Sequence, residues 1–253
     1  MIWLLRQAEK LIYRNALHIV ALSPGMKDGV IAAGTPETKI TVIPNMSKPD
    51  IFFPRPVKEM TEPAINPEKF NIIHFGSMGR ANGLEFITDT ARILKQKGDK
   101  DIMFVMAGYG TTEIVLRNIA TRDGLDNMQF VGKHNTFIIS ELVNQCDASL
   151  ISFMNLPVLR TNSPNKLFDS LSAGKPVIVN SDGWTRRLVE DNDCGFYTDP
   201  GKPEEFADKL IQYKSDKLQL AIWGENARKL SLNVFDKELL SEKFVNLIES
   251  FDH

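Results

Sequence analysis

Residues 161–179 read TNSPNKLFDSLSAGKPVIV, a string that opens a short helix, closes it and starts a strand. Ser163 has the side chain of an N-cap. Pro164 suits the first helical position, where a missing N–H costs nothing. Gly174 supplies the stop, and Pro176 leads into Val177-Ile178-Val179, β-branched and apolar as a buried strand requires. The first turn of this helix carries Lys166. Unpaired N–H groups and the helix dipole favour an anion there, and a cation in that turn calls for a compensating negative charge. The expected ligand is a phosphate.

The same alternation extends along the chain. Strand-like runs occur at 19–22, 40–43, 72–75, 102–106, 128–131, 148–151, 177–179 and 195–197. Helical patterns lie between them, such as Leu84, Ile87, Ala91 and Leu94, which share one helix face. Short strands alternating with longer helices predict right-handed crossovers and a Rossmann-like, doubly wound parallel sheet, an α/β fold. Ligands of such sheets bind beyond the carboxyl ends of the strands. The loops after Phe75, Met106, Val131 and Ile151, and the one leading into Pro164, are therefore expected to face the site.

Composition narrows the ligand. The chain has 253 residues, 43% of them apolar, with 30 Lys and Arg against 32 Asp and Glu, a balance that argues against nucleic acid. Two cysteines, Cys146 and Cys194, lack the spacing of a zinc or redox site and read as reduced core residues of a cytoplasmic protein. Charged residues interrupt the apolar start of the chain too often for a signal peptide or a membrane span.

A seam divides the chain. Residues 44–67 carry six prolines, as a linker would. The helix, strand, helix, strand pattern before it is too short to bury its own core. Residues 1–50 are thus expected to be the last units of another α/β domain, 51–68 a linker, 69–232 the main Rossmann-like domain, and 233–253 a helix packing back on the first unit. Leu240, Phe244, Leu247, Ile248 and Phe251 form an apolar stripe on that last helix.

The strings HIVALSPGMKDGVIAAGTPETKITVIPN, IIHFGSMGR, FVMAGYG, MQFVGKHN and SPNKLFDSLSAGKPVI, in this order over residues 8–230, resemble the retaining GT-B glycosyltransferases of family 4, in particular their bacterial surface-polysaccharide branch. The resemblance implies that 69–232 bind a nucleoside-diphosphate sugar and that 1–50 are a remnant of the acceptor-binding domain. It implies a UDP-sugar donor, no metal or other cofactor, and a lipid-linked or saccharide acceptor held by the missing N-terminal half. It also implies peripheral association of the full-length enzyme with the inner face of the cytoplasmic membrane, and inactivity of this chain alone.

Candidate residues follow from both readings. Gly76, Ser77 and Gly79 sit in a strand-to-helix turn where backbone N–H groups can approach a diphosphate, or where a tight turn simply needs glycine. By the resemblance, Arg80 and Lys166 meet the donor phosphates and carry the catalytic electrostatics, with Ser163 and Asn165 beside them. Gly108 and Gly110 flank Tyr109 near the phosphates or base, or form a plain turn. Gly132 and Lys133 stand where the family holds the nucleobase. Asp169 takes the place of the second acid of the family's Glu-x7-Glu pattern, which accepts the ribose hydroxyls. The first acid is replaced by Thr161, with Asn162 or Ser163 as partial substitutes. His74 reads as a core histidine, and Asp191-Asn192-Asp193 as a turn and not a metal motif. Two alternatives share this pattern: a nucleotide-sugar-binding module that needs a partner chain, and a nucleotide-sugar epimerase of the same architecture.

Overall fold

The computed structural model describes residues 2–56 and 65–251, so residues 57–64 of the expected linker lie outside the described residues. The first unit comprises α1 (Ile2–Asn15), β1 (Ile19–Ala21), α2 (Pro24–Ala32) and β2 (Ile40–Val42). The main unit begins with β3 (Phe70–Ser77), α3 (Glu85–Gln96), β4 (Ile102–Tyr109), α4 (Glu113–Asp123), β5 (Met128–Gly132) and α5 (Thr136–Gln145). It continues with β6 (Ala148–Ile151), α6 (Asn165–Ser172), β7 (Val177–Val179), α7 (Trp184–Asp191) and β8 (Gly195–Tyr197). Three helices follow: α8 (Pro203–Tyr213), α9 (Lys217–Val234) and α10 (Lys237–Glu249).

All six strands of the larger sheet are parallel, in the order β5-β4-β3-β6-β7-β8. Successive side chains of a strand point to opposite faces, and helices cover both faces here. Ile102, Phe104 and Met106 of β4 pack with α3, α8 and α9 through Ile87, Phe206 and Trp223. Met103, Val105 and Ala107 of the same strand pack with Leu142 and Val143 of α5. That two-sided burial explains why β3 and β4 read as continuous apolar runs without polar alternation.

β1 and β2 form a separate two-stranded parallel sheet whose small core is Ala21, Val30 and Ile40. The proline-rich stretch does more than connect the units. Phe52 is buried in the core of the main unit, its ring 6.3 Å from that of Phe75. Its carbonyl accepts from Ser172 Oγ, and the Ile51 carbonyl accepts from Ser140 Oγ. Prolines keep this segment out of the sheets, yet its apolar side chains still dock. α9 continues to Val234, so the break before the last helix falls at Phe235-Asp236, after the expected boundary at 232. Leu240 of α10 is buried in one cluster with Ile43, and Lys243 Nζ donates to the Val42 carbonyl at 3.0 Å.

Candidate active site

The chain leaves β3 toward β4 on one side and returns to β6 on the other, so the strand order reverses at β3/β6. Loops diverge at such a switch point and leave a crevice beyond the carboxyl ends. A cleft of about 520 Å³ opens there. Its walls include Gly76, Ser77 and Gly79 after β3, and Gly108 and Gly110 after β4. Lys133 after β5, and Asn165 and Asp169 of α6, complete the set of expected residues that line it.

The glycines do different things. Gly76 and Gly108 pair in register at the ends of β3 and β4. A Cβ on Gly108, whose φ is +151°, would lie 1.8 Å from the Gly76 carbonyl oxygen. One on Gly110 would lie 2.5 Å from the Met78 backbone. Both positions are therefore demanded by backbone packing, whatever binds. At Gly76, φ +105°, the nearest neighbours of an added Cβ are Cε and Nζ of Lys166, at 3.7 and 3.8 Å. Those are ordinary contact distances, so it is the positive φ and not a lack of room that favours glycine there, with the lysine lying beside it. Its Nζ donates to Asn82 Oδ1 at 3.1 Å, and burial pushes the Lys166 pKa down to about 8.

The start of α6 differs from the expectation. Pro164, with extended φ and ψ of −79° and 131°, is the N-cap residue, and no side chain caps this helix. Ser163 lies one residue too early to reach the first-turn N–H groups. Its Oγ accepts instead from the Asn45 N–H at 3.3 Å, so it joins the first unit to the main one and does not line the cleft. The C-terminal stop is as read: Gly174 is left-handed at φ +65°, and its N–H donates to the Leu171 carbonyl at 3.0 Å.

Asp169 is the most unusual group in the cleft. It is buried, and burial pushes its carboxyl up to about 6, opposed by Lys48. Lys48 Nζ stands 4.0 Å from Oδ1, too far for a hydrogen bond, and Oδ1 finds no hydrogen-bond partner among the described residues. An unsatisfied buried carboxylate is costly, and any hydrogen-bond donor that reaches it relieves that cost.

The remaining candidates sit less centrally. Arg80 is exposed in a single turn of 3-10 helix and lies outside the lining of the cleft. Gly132 ends β5 in the left-handed region, and Lys133 Nζ caps the Tyr109 ring at 4.6 Å. Thr161 turns away, its Oγ1 donating to the Val158 carbonyl at 2.9 Å. The Asn162 carbonyl accepts from Trp184 Nε1. His74 is buried between the Leu150 and Ser77 carbonyls, and burial together with Lys166 holds its pKa well below the usual value. Asp193 lies in a turn and accepts from Trp223 Nε1 at 2.8 Å. Among the described residues no cluster of His, Cys, Asp or Glu is arranged to hold a metal, and no helix is long and apolar enough to cross a membrane. Sequence reasoning missed Lys48, Phe52 and Thr136, which line the cleft from segments without a motif of their own.

Known proteins share this architecture. The family described as Glycosyl transferases group 1 matches residues 58–230. An alpha-galactosylglucosyldiacylglycerol synthase of Streptococcus pneumoniae (strain ATCC BAA-255 / R6) is 22% identical over 242 residues, 90% of this chain and 60% of its own length. The chain thus spans less than two thirds of that relative. Anabaena HepE, solved with UDP and glucose, superposes with a TM-score of 0.79 at 21% identity, over 97% of this chain and 66% of its own. Sucrose-phosphate synthase of Thermosynechococcus elongatus gives a TM-score of 0.81 at 15% identity, over 97% of this chain and 61% of its own. The six-stranded parallel sheet is the Rossmann-like sheet of GT-B proteins. With its family matched over most of its length and a cleft at the switch point of that sheet, the chain belongs to the group 1 glycosyl transferases.

Proposed function

We propose that this chain is the donor-binding half of a retaining glycosyltransferase that moves a sugar from UDP to a lipid-linked or saccharide acceptor in the synthesis of a cell-surface glycan. The carrying observation is Asp169, a buried carboxyl with an unsatisfied oxygen in a cleft at the sheet's switch point. A ribose supplies two vicinal hydroxyls, the donors such a carboxylate lacks. The backbone around Gly76, Ser77 and Gly79 is open enough to offer N–H groups to a diphosphate. Lys166 is not among the residues that line the cleft, but it lies beside Gly76, which is; desolvated and held by Asn82, it brings positive charge to that end.

In the transfer, the bond between the anomeric carbon and the diphosphate oxygen breaks and its electron pair leaves with the nucleotide. Fixed N–H donors and the Lys166 ammonium stabilise that growing charge without reorganising, and an anion near Lys166 raises its proton affinity in turn. Arg80, exposed and unfixed, is a candidate to close on the phosphates once they are bound. The acceptor's hydroxyl oxygen bonds to the anomeric carbon on the face the nucleotide leaves, and its proton passes to the leaving phosphate. The neighbours support this reading in kind: HepE was solved with UDP and glucose, and the streptococcal relative is a glycolipid synthase.

Calorimetry with UDP and 2′,3′-dideoxy-UDP is the test. Asp169→Asn should weaken UDP by about tenfold and leave the dideoxy compound nearly unchanged, since one lost charged hydrogen bond is worth about 1.5 kcal/mol. Equal losses for both ligands would show that the carboxylate does not hold the ribose. Repeating the titration with a chelator tests metal independence, and binding that disappears on chelation overturns it.

A further inference from the structure

Lys48 belongs to no motif, yet its backbone is among the better anchored parts of the joining segment. The Lys48 carbonyl accepts from the N–H groups of Ile51 and Phe52, at 3.0 and 2.8 Å. The neighbouring Ser47 N–H donates to the Phe235 carbonyl at 2.7 Å, and Ser47 bridges to Asp236 at the break before α10. Both crossings between the first unit and the main one therefore meet beside Lys48. From this point its side chain enters the cleft and ends 4.0 Å from Asp169 Oδ1.

The other charged groups around α6 are engaged elsewhere or belong to other parts of the cleft. Lys166, one turn earlier on α6, donates to Asn82. Arg228 of α9 donates to the Ser172 and Phe52 carbonyls. Lys133 stacks on Tyr109, and His134 faces the Val131 carbonyl. No ion pair other than that with Lys48 reaches Asp169 among the described residues.

We propose that Lys48 is a positioning residue for the nucleotide sugar: from the segment that joins the two units, its ammonium holds the buried Asp169 carboxyl in its charged, hydroxyl-accepting form. The proposal rests on the reading of Asp169 as the ribose acceptor. Physically, a single cation at this distance opposes the burial that favours the neutral acid. Ligand affinity thereby becomes sensitive to where the joining segment sits. A shift of that segment which draws Lys48 away would weaken the ribose contact without touching the phosphate end.

Two measurements test it on Lys48→Met and Lys48→Arg. The first follows the Asp169 carboxyl by carbon-13 NMR in the ligand-free protein. Lys48→Met should raise its midpoint by about one unit from about 6, and Lys48→Arg should restore it. The second measures UDP-glucose affinity against pH, since that diphosphate diester does not titrate in the range. Lys48→Met should bind about fivefold more weakly near pH 6, the ratio of ionised fractions for such a shift, and like the parent near pH 8.5. An unchanged midpoint overturns the proposal, as does a loss of affinity equal at every pH, which is what a lysine acting through packing or on the phosphates would give. A raised midpoint with unaltered affinity overturns it too. Lys48 is partly exposed, so its removal leaves no cavity to confuse the comparison. Failure of the ribose reading itself would appear separately, as equal losses for UDP and 2′,3′-dideoxy-UDP in Asp169→Asn.

Discussion

A carboxyl that burial pushes up to about 6 makes a stability prediction as well as a binding one. The folded pKa lies above the usual 3.8, so the folded state holds this proton more tightly than the unfolded chain. Stability from this group is complete below about pH 4 and declines as pH rises through 6, by at most about 3 kcal/mol. Asp169→Asn should therefore raise the melting temperature of the ligand-free protein at pH 8 and change little at pH 4, while it weakens UDP. His74 acts in the opposite direction. Its pKa is held well below 6.5, so it costs nothing above that pH and destabilises the fold as the solution is acidified. Thermal melts of Asp169→Asn across this range check the first claim; a variant that melts lower at pH 8 would mean that the carboxylate is satisfied. Lys166 carries the same tension with the sign of a base. Its pKa is pushed down to about 8, so the charged form is the strained one at neutral pH, and Lys166→Met should melt higher there. Diphosphate affinity should fall by about tenfold or more in that variant, because the bound anion is what repays the buried charge.

At the scale of elements, the two strand ends that frame the cleft should tolerate side chains unequally. Gly108→Ala places a methyl 1.8 Å from the Gly76 oxygen, which only a shift of β3 against β4 can relieve. A loss of about 2–4 kcal/mol is expected. Gly132→Ala also sits at positive φ, +80° against +151° at Gly108, but with nothing within 4 Å, so it should cost only about 1 kcal/mol. Urea unfolding of the pair separates packing from conformation, and equal losses would refute the close approach at Gly108. The elements themselves were largely legible, because the central strands of the main sheet are buried apolar runs and glycines follow several of them. Gly174 was legible for the same local reason, since a left-handed stop has a residue preference of its own. Ser163 was not: a serine before Pro164 looks like an N-cap, but a tertiary partner, Asn45, takes its hydroxyl and the helix starts one residue later. The docking of Phe52 and the approach of Lys48 to Asp169 leave no periodic trace, because they join segments far apart in the chain.

For the molecule as a whole, the apolar surface is distributed unevenly, and this too has a measurable consequence. The main unit buries its sheet on both faces, whereas α1 leaves Trp3, Leu4, Leu5, Leu11 and Ile12 each more than 60% exposed. Its Tyr13 packs on the small core of the first unit, and Phe244, Val245 and Ile248 of α10 are exposed as well. A helix of 14 residues has little stability of its own and depends on burying an apolar face. Fully covering one such leucine is worth about 1.5–3 kcal/mol, so a handful on one helix is enough to drive association. In solution a second copy of this chain can cover such a surface. The isolated chain is therefore expected to self-associate as its concentration rises, in sedimentation velocity runs at low salt and at high salt alike. Leu4→Glu combined with Leu11→Glu should shift it toward monomer and change the unfolding free energy of the monomer by no more than about 1 kcal/mol, because exposed positions contribute little to the fold. UDP affinity should be unaffected, since the cleft lies in the other unit. A parent chain that stays monomeric at every concentration would overturn the expectation that this exposed face drives association.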